Sequence, residues 1–85
     1  MCRPVVLHPT SRGEVKLRSA DPRQHVAIHQ NFLATEEDWK TFRTGFDMVR
    51  DVAHQKALDP FRGREINPGA EVKSRADIDA YMRRT

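Results

Sequence analysis

Two histidines four residues apart, His25 and His29, have the spacing at which one face of a helix can bind zinc. The residues between them alternate as in a strand, where positions four apart also share a face. No cysteine pair and no third ligand at a recognisable spacing accompanies them. We therefore predict no metal site, and we expect both histidines to be exposed or hydrogen-bonded.

The other candidates for catalysis also lack partners. His8 ends a predicted strand, and His54 ends a predicted helix, where a cationic imidazole suits the helix dipole. Neither has a nucleophile or an orienting acid at a recognisable spacing. Ser11 and Ser19 lack the Gly-x-Ser-x-Gly elbow, and no Gly-x-Gly-x-x-Gly loop is present. The residues by themselves predict no catalytic, cofactor-binding or metal site.

Composition bounds the class of protein. The 85 residues make one small domain at most, and the single cysteine, Cys2, excludes an internal disulfide. A lone cysteine is typical of a reducing compartment, which favours an intracellular location; a parent protein associated with a membrane stays an open alternative. No run approaches the ~20 apolar residues of a transmembrane helix. The net charge is only +3 and basic residues are interleaved with acidic ones, so we predict no nucleic-acid binding.

The hydrophobic periodicity predicts an α+β segment. Val15 and Leu17 alternate with polar residues, which indicates a half-buried strand, and residues 9–13 are turn formers that favour a hairpin with the preceding apolar run. The predicted strands cover about 4–8, 14–18 and 25–29, and the predicted helices cover about 36–55 and 75–84.

Each predicted helix has a start signal and an apolar stripe. Thr35 precedes three acidic residues, and Ser74 is followed three positions later by Asp77; both patterns are typical of a helix N-terminus. Gly45 is unusual inside a helix and predicts a close approach of another segment. The stripes, which we interpret as core, consist of Trp39, Phe42, Phe46, Val49 and Ala53 in the first helix and of Ile78, Tyr81 and Met82 in the second.

Several segments resemble one enzyme family. Residues 8–22, with Ser11-Arg12-Gly13, resemble the Ser-Arg-Gly strand and turn of the glucose-methanol-choline (GMC) oxidoreductases. Asn31-Phe32-Leu33 resembles the Asn-Tyr-Leu that follows in that family. Residues 38–39, 54–59 and 62–69 resemble its choline dehydrogenase branch, and residues 77–83 resemble the helix that leads into its catalytic segment.

The resemblance implies a piece of the substrate-binding domain, an antiparallel sheet with helices packed outside it. In that domain Val15 and Leu17 would pack the sheet, Arg12 and Gly13 would shape the turn, and the Trp39 stripe would clamp a helix onto the body. The family binds FAD through an upstream dinucleotide fold and passes hydride from an alcohol to the flavin. Its catalytic His-Pro-x-Gly motif would follow residue 85, and His8-Pro9 does not correspond to it.

The resemblance therefore predicts a fragment of an FAD-dependent alcohol oxidoreductase that acts on CH-OH groups, in particular one that oxidises choline to betaine aldehyde. Its partners would be the remainder of the parent chain and a small alcohol such as choline. No catalytic role transfers to a residue of this chain, and we expect the 85 residues alone to be inactive and to bind no FAD. The alternative is a non-catalytic, truncated relic or a protein-interaction module.

Overall fold

The structure, a computed structural model, describes residues 1–85. Two strands, β1 (Glu14–Lys16) and β2 (Ala27–His29), precede an α-helix, α1 (Glu36–Ala53). A 3₁₀ helix at Lys56–Phe61 and a second α-helix, α2 (Arg75–Arg84), follow. This confirms the α+β class.

The sheet pairs different strands from those expected. β1 pairs antiparallel with β2, and Val15 lies opposite Ile28. Residues 4–8, predicted to form the first strand of a hairpin with residues 14–18, lie outside the sheet. Pro4 lacks an N–H for a ladder, and its Cβ lies 3.0 Å from the position that a Cβ on Gly45 would take. Pro4 thus approaches α1 closely, at the glycine where the sequence predicts a close approach.

Both strands are shorter than predicted. The sequence places them at 14–18 and 25–29, whereas pairing extends only over Glu14–Lys16 and Ala27–His29. All of their residues except Ala27 are exposed. A two-stranded ladder without a covering layer is marginal, since burial of one face supplies most of the stability of a sheet.

Side-chain caps fix where the helices begin. The backbone N–H of Asp38 donates to Thr35 Oγ1 at 3.3 Å at the start of α1. Ser74 and Asp77 form a reciprocal capping box at the start of α2. α1 ends at Ala53 rather than at residue 55, because the chain turns into the 3₁₀ helix directly afterwards.

The core lies between the two helices. Trp39 and Phe46 of α1 pack with Ile78 and Met82 of α2, and these four are the buried hydrophobic residues of the chain. The half-buried side chains of Leu33, Phe42 and Val72 pack around them. The stripe expected to clamp α1 onto a protein body therefore packs against this chain's own α2.

The chain is extended for its length. Its radius of gyration is 17.7 Å and its principal extents are 59 × 26 × 22 Å, whereas a compact domain of this length has a radius of gyration of about 12 Å. Its accessible surface is 7424 Å², compared with about 5,200 Å² for a compact monomer of this mass. The structure thus exposes about 2,200 Å² more than a compact protein of its mass.

A substitution of Gly13 tests the hairpin formed by β1 and β2. A Cβ on Gly13 would overlap the carbonyl oxygens of His29 and Gln30, which are backbone atoms that cannot rotate away. We expect Gly13→Ala to lower the free energy of unfolding by about 1–3 kcal/mol. Gly63→Ala is the matched control, because nothing lies within 4 Å of the added Cβ. Urea unfolding followed by circular dichroism measures both; equal midpoints would contradict the close approach.

Candidate functional site

A buried carboxylate joins the N-terminus of α1 to the loop before β1. Asp38 is 3% exposed. Its Oδ1 accepts from the Thr10 backbone N–H at 2.7 Å and from the Thr10 hydroxyl at 3.0 Å. Its Oδ2 accepts from the Ser11 N–H at 2.9 Å and from the Ser11 hydroxyl. We call this arrangement of Thr10, Ser11 and Asp38 the Asp38 clamp.

The clamp reaches a third segment through its two hydroxyls. Thr10 Oγ1 lies 2.6 Å from Thr35 Oγ1. Ser11 Oγ accepts a hydrogen bond from the Ala34 N–H at 2.9 Å. The loop before β1, the residues before α1 and the first turn of α1 therefore form one hydrogen-bonded unit.

Hydrogen bonding in the clamp favours the ionised carboxylate. The bond from the Ser11 hydroxyl is the largest influence, followed by the bond from the Thr10 N–H, and together they hold the pKa of Asp38 well below its usual value. Burial acts in the opposite direction and is outweighed. Four donors of Thr10 and Ser11 bond to the carboxylate of Asp38. The carboxylate therefore anchors the loop before β1 and is not placed for proton transfer.

The clamp adjoins a segment with an unusual backbone. Asn31 and Leu33 both have a φ of +53°, the left-handed region that non-glycine residues rarely adopt. Asn31 Nδ2 donates to the Arg12 carbonyl at 2.8 Å, and Arg12 itself donates to the Pro9 carbonyl at 2.8 Å. Arg12 and Gly13 therefore lie in the loop that leads into β1, and not in a turn between two strands as the resemblance implies.

A second anchor lies at the other end of α1. The guanidinium of Arg50 donates to Glu65 Oε1 at 2.7 Å, to the Val72 carbonyl at 2.6 Å and to the Gly69 carbonyl at 3.1 Å. Its Cζ also lies 4.7 Å from the centre of the Phe46 ring. One side chain therefore holds the loop between the helices against α1.

Ion pairs connect the two helices. Arg43 of α1 donates to both carboxylate oxygens of Asp79 of α2, at 2.8 and 2.6 Å, and to Glu36 at 2.7 Å. The bonds to Asp79 are the largest cause of a raised pKa for Arg43, and the same bonds lower the pKa of Asp79. Arg43 and Arg83 lie on the Trp39 ring, at 5.3 and 5.1 Å from its centre.

The histidines and the cysteine considered above stay apart. His29 lies on β2, whereas His25 precedes it and is exposed, so the two do not share a paired strand. His54 Nδ1 lies 2.8 Å from the Arg50 carbonyl at the end of α1. Cys2 is exposed. No three His, Cys, Asp or Glu side chains lie together as metal ligands.

Two open cavities border α2. One, of about 210 Å³, lies between the helices and is lined by residues such as Arg43, Lys73 and Ile78. Another, of about 390 Å³, lies beside Tyr81. In the first cavity, the guanidinium of Arg43 already pairs with acidic groups.

No helix of the chain has the length and apolar character that are needed to span a membrane.

One family model matches residues 9–85, which include every residue of the Asp38 clamp, and its description is GMC oxidoreductase. The chain belongs to the GMC oxidoreductase family. Over 73 residues it is 53% identical to the oxygen-dependent choline dehydrogenase of Pseudomonas fluorescens Pf-5 and 48% identical to that of Pseudomonas aeruginosa LESB58. The enzyme of the same name from Paraburkholderia phymatum is also 53% identical over 73 residues.

These matches cover 86% of the chain and 13% of each relative. The chain thus spans about an eighth of the length of the GMC proteins it matches.

The family implies a flavin, so the residues of this chain can be compared with those that hold FAD in known folds. Dinucleotide folds bind at a glycine-rich turn between a parallel strand and a helix, whereas the strands here are antiparallel. These residues do not fit that way of holding FAD.

Sequence reasoning missed the role of Asp38. The sequence places Asp38 only among the three acidic residues that follow Thr35 at the start of a helix. In the structure Thr35 accepts from the Asp38 N–H, whereas the Asp38 carboxylate bonds to Thr10 and Ser11. The pairing joins residues 27 and 28 positions apart in the chain. No local pattern could have indicated it.

Asp38→Asn tests the clamp. In Asp38→Asn the amide NH₂ would face N–H donors, so we expect the urea midpoint of unfolding to fall. The control is Asp47→Asn, at an exposed position of α1. The midpoint of Asp38→Asn should fall several times further than that of the control. The pKa of Asp38 is lowered in the folded state, so the ionised group stabilises the fold above the unfolded-state pKa of about 4, and this contribution is lost as the pH falls further. The difference between the wild type and Asp38→Asn should therefore narrow below about pH 4. A difference that is constant with pH would contradict the role of the charge.

Proposed function

We propose that this chain forms part of the substrate-binding domain of an FAD-dependent enzyme that oxidises choline to betaine aldehyde. The observation that carries the proposal is 48–53% identity over 86% of the chain to enzymes named oxygen-dependent choline dehydrogenase. In this proposal the chain supplies a wall of the alcohol site, and other segments of the enzyme supply the flavin and the catalytic base.

The exposed surface supports assembly into a larger protein. Val15 and Ile28 lie opposite each other on the same face of the hairpin and are 65% and 63% exposed. Leu17, 82% exposed, lies two residues beyond Val15. An aliphatic face of this kind needs a covering layer, since a sheet is stable only when it buries one side. The rest of the enzyme is the covering layer that we propose.

The polar anchors support the same role. The Asp38 clamp fixes the turn before β1, and Arg50 fixes the loop before α2. Both devices hold loops in one geometry without using an exposed catalytic group. A segment that shapes a pocket requires this kind of rigidity, because loops must be positioned by packing and hydrogen bonds to be useful in a site.

Flavin loading and choline oxidation test the proposal together. The 73 matched residues of the Pseudomonas fluorescens Pf-5 enzyme are replaced by those of this chain, and the purified protein is assayed for bound FAD and for oxygen consumption with choline. We expect a flavin-loaded enzyme that oxidises choline at a rate within about tenfold of the parent, a barrier change of about 1.4 kcal/mol. The isolated 85-residue chain should bind no FAD.

Ethanolamine is the control substrate, because it retains the alcohol and lacks the methyl groups of choline. A flavin-loaded hybrid that oxidises ethanolamine as well as choline would overturn the choline assignment. A hybrid that accumulates without flavin would instead favour the non-catalytic alternative.

A further inference from the structure

Phe32 is an aromatic side chain presented by a strained backbone. It is 73% exposed and lies between Asn31 and Leu33, both of which have a φ of +53°. A left-handed conformation at a leucine is costly and persists only where the surrounding structure imposes it. The surrounding contacts must therefore stabilise this backbone conformation.

Hydrogen bonds on both sides impose the conformation. Asn31 Nδ2 donates to the Arg12 carbonyl at 2.8 Å, and the Ala34 N–H donates to Ser11 Oγ at 2.9 Å. Ser11 is in turn bound to Asp38 of the clamp. The arch formed by residues 31–34 is thus fastened at each end to the turn before β1.

The arch separates two adjacent apolar side chains. Leu33 is half-buried and packs against the core cluster that contains Trp39, whereas Phe32 is left largely exposed. One residue of the pair therefore belongs to this chain's own core, and the other is available to a different surface. Rigid presentation of an aromatic ring lowers the entropy lost when the ring is buried by a partner.

We infer that Phe32 is a preorganised anchor that docks into an apolar pocket on the remainder of the same GMC enzyme. The inference rests on the proposed function and adds the residue through which this segment engages its partner. Aromatic residues, including phenylalanine, are enriched in the buried core of protein interfaces. Val15 and Ile28 are further exposed apolar side chains, on the hairpin that precedes Phe32.

The size of the exposed surface identifies the occupant. The chain exposes about 2,200 Å² more than a compact monomer of its mass. A standard interface covers only about 800 Å² on each partner, and more extensive burial is typical of permanent assemblies. The matched relatives have most of their length outside the aligned region, since it covers 13% of each. The remainder of one enzyme fits an area of this size better than a small ligand does.

Cysteine labelling in the flavin-loaded hybrid enzyme tests the anchor. Phe32→Cys is compared with Lys40→Cys, which lies on the exposed face of α1, each in a Cys2→Ser background, with the hybrid that carries neither substitution as the blank. We expect maleimide to label the Phe32→Cys enzyme at least about tenfold more slowly than the Lys40→Cys enzyme, and equally fast in urea, because burial restricts access to local opening. Equal native rates would overturn the inference.

Hydrogen exchange of the unsubstituted protein provides a second measurement that does not depend on a variant that folds. In the hybrid, the amides of residues 32 and 33 should exchange at least about tenfold more slowly than they would in an unstructured chain. Equal exchange would overturn the inference, as would protection that appears only when two copies associate. A hybrid that loads flavin and ignores choline would refute the substrate assignment and leave both readouts of Phe32 interpretable.

Discussion

The carboxylate of Asp38 is the acceptor on which three parts of the chain converge. Thr10 and Ser11 donate four hydrogen bonds to it, and their hydroxyls also bond to residues 34 and 35. The turn before β1, the arch before α1 and the first turn of α1 consequently share one fixed geometry. A buried carboxylate with this many donors is stable in its ionised form, because the bonds replace the water that it loses.

Apolar packing and polar interactions stabilise different parts of the chain. Apolar packing is centred on the α1–α2 contact, where Trp39 and Phe46 meet Ile78 and Met82 and where Leu33 and Val72 pack beside them. Polar interactions fasten everything else, with Asp38 at the start of α1 and Arg50 near its end. Such a division suits a segment whose other apolar surfaces face a larger body, since loops are held locally while the hairpin face stays free for contact.

The local elements could be read from the sequence, and their pairing could not. The Ser74–Asp77 capping box is a local pattern and forms where predicted. Of the stripe predicted for α1, Trp39 and Phe46 join the core and Phe42 packs beside it, whereas Val49 and Ala53 lie outside the core cluster. The predicted hairpin partner of β1 was wrong, because residues 4–8 look like a strand in isolation but lie outside the sheet, where Pro4 approaches Gly45 of α1. Family membership was predictable because the motifs survive as contiguous runs within residues 9–85.

The sequence by itself determined the helices, their caps and the family, because each depends on residues close together in the chain. The tertiary structure decided that β1 pairs with β2, that Asp38 binds Thr10 and Ser11 rather than completing a cap, and that Phe32 is left exposed while Leu33 joins the core. These outcomes depend on contacts between distant residues. Several distant segments can compete for one acceptor, such as the Asp38 carboxylate, or for one strand edge, such as that of β1. Only the folded chain determines which segment binds there.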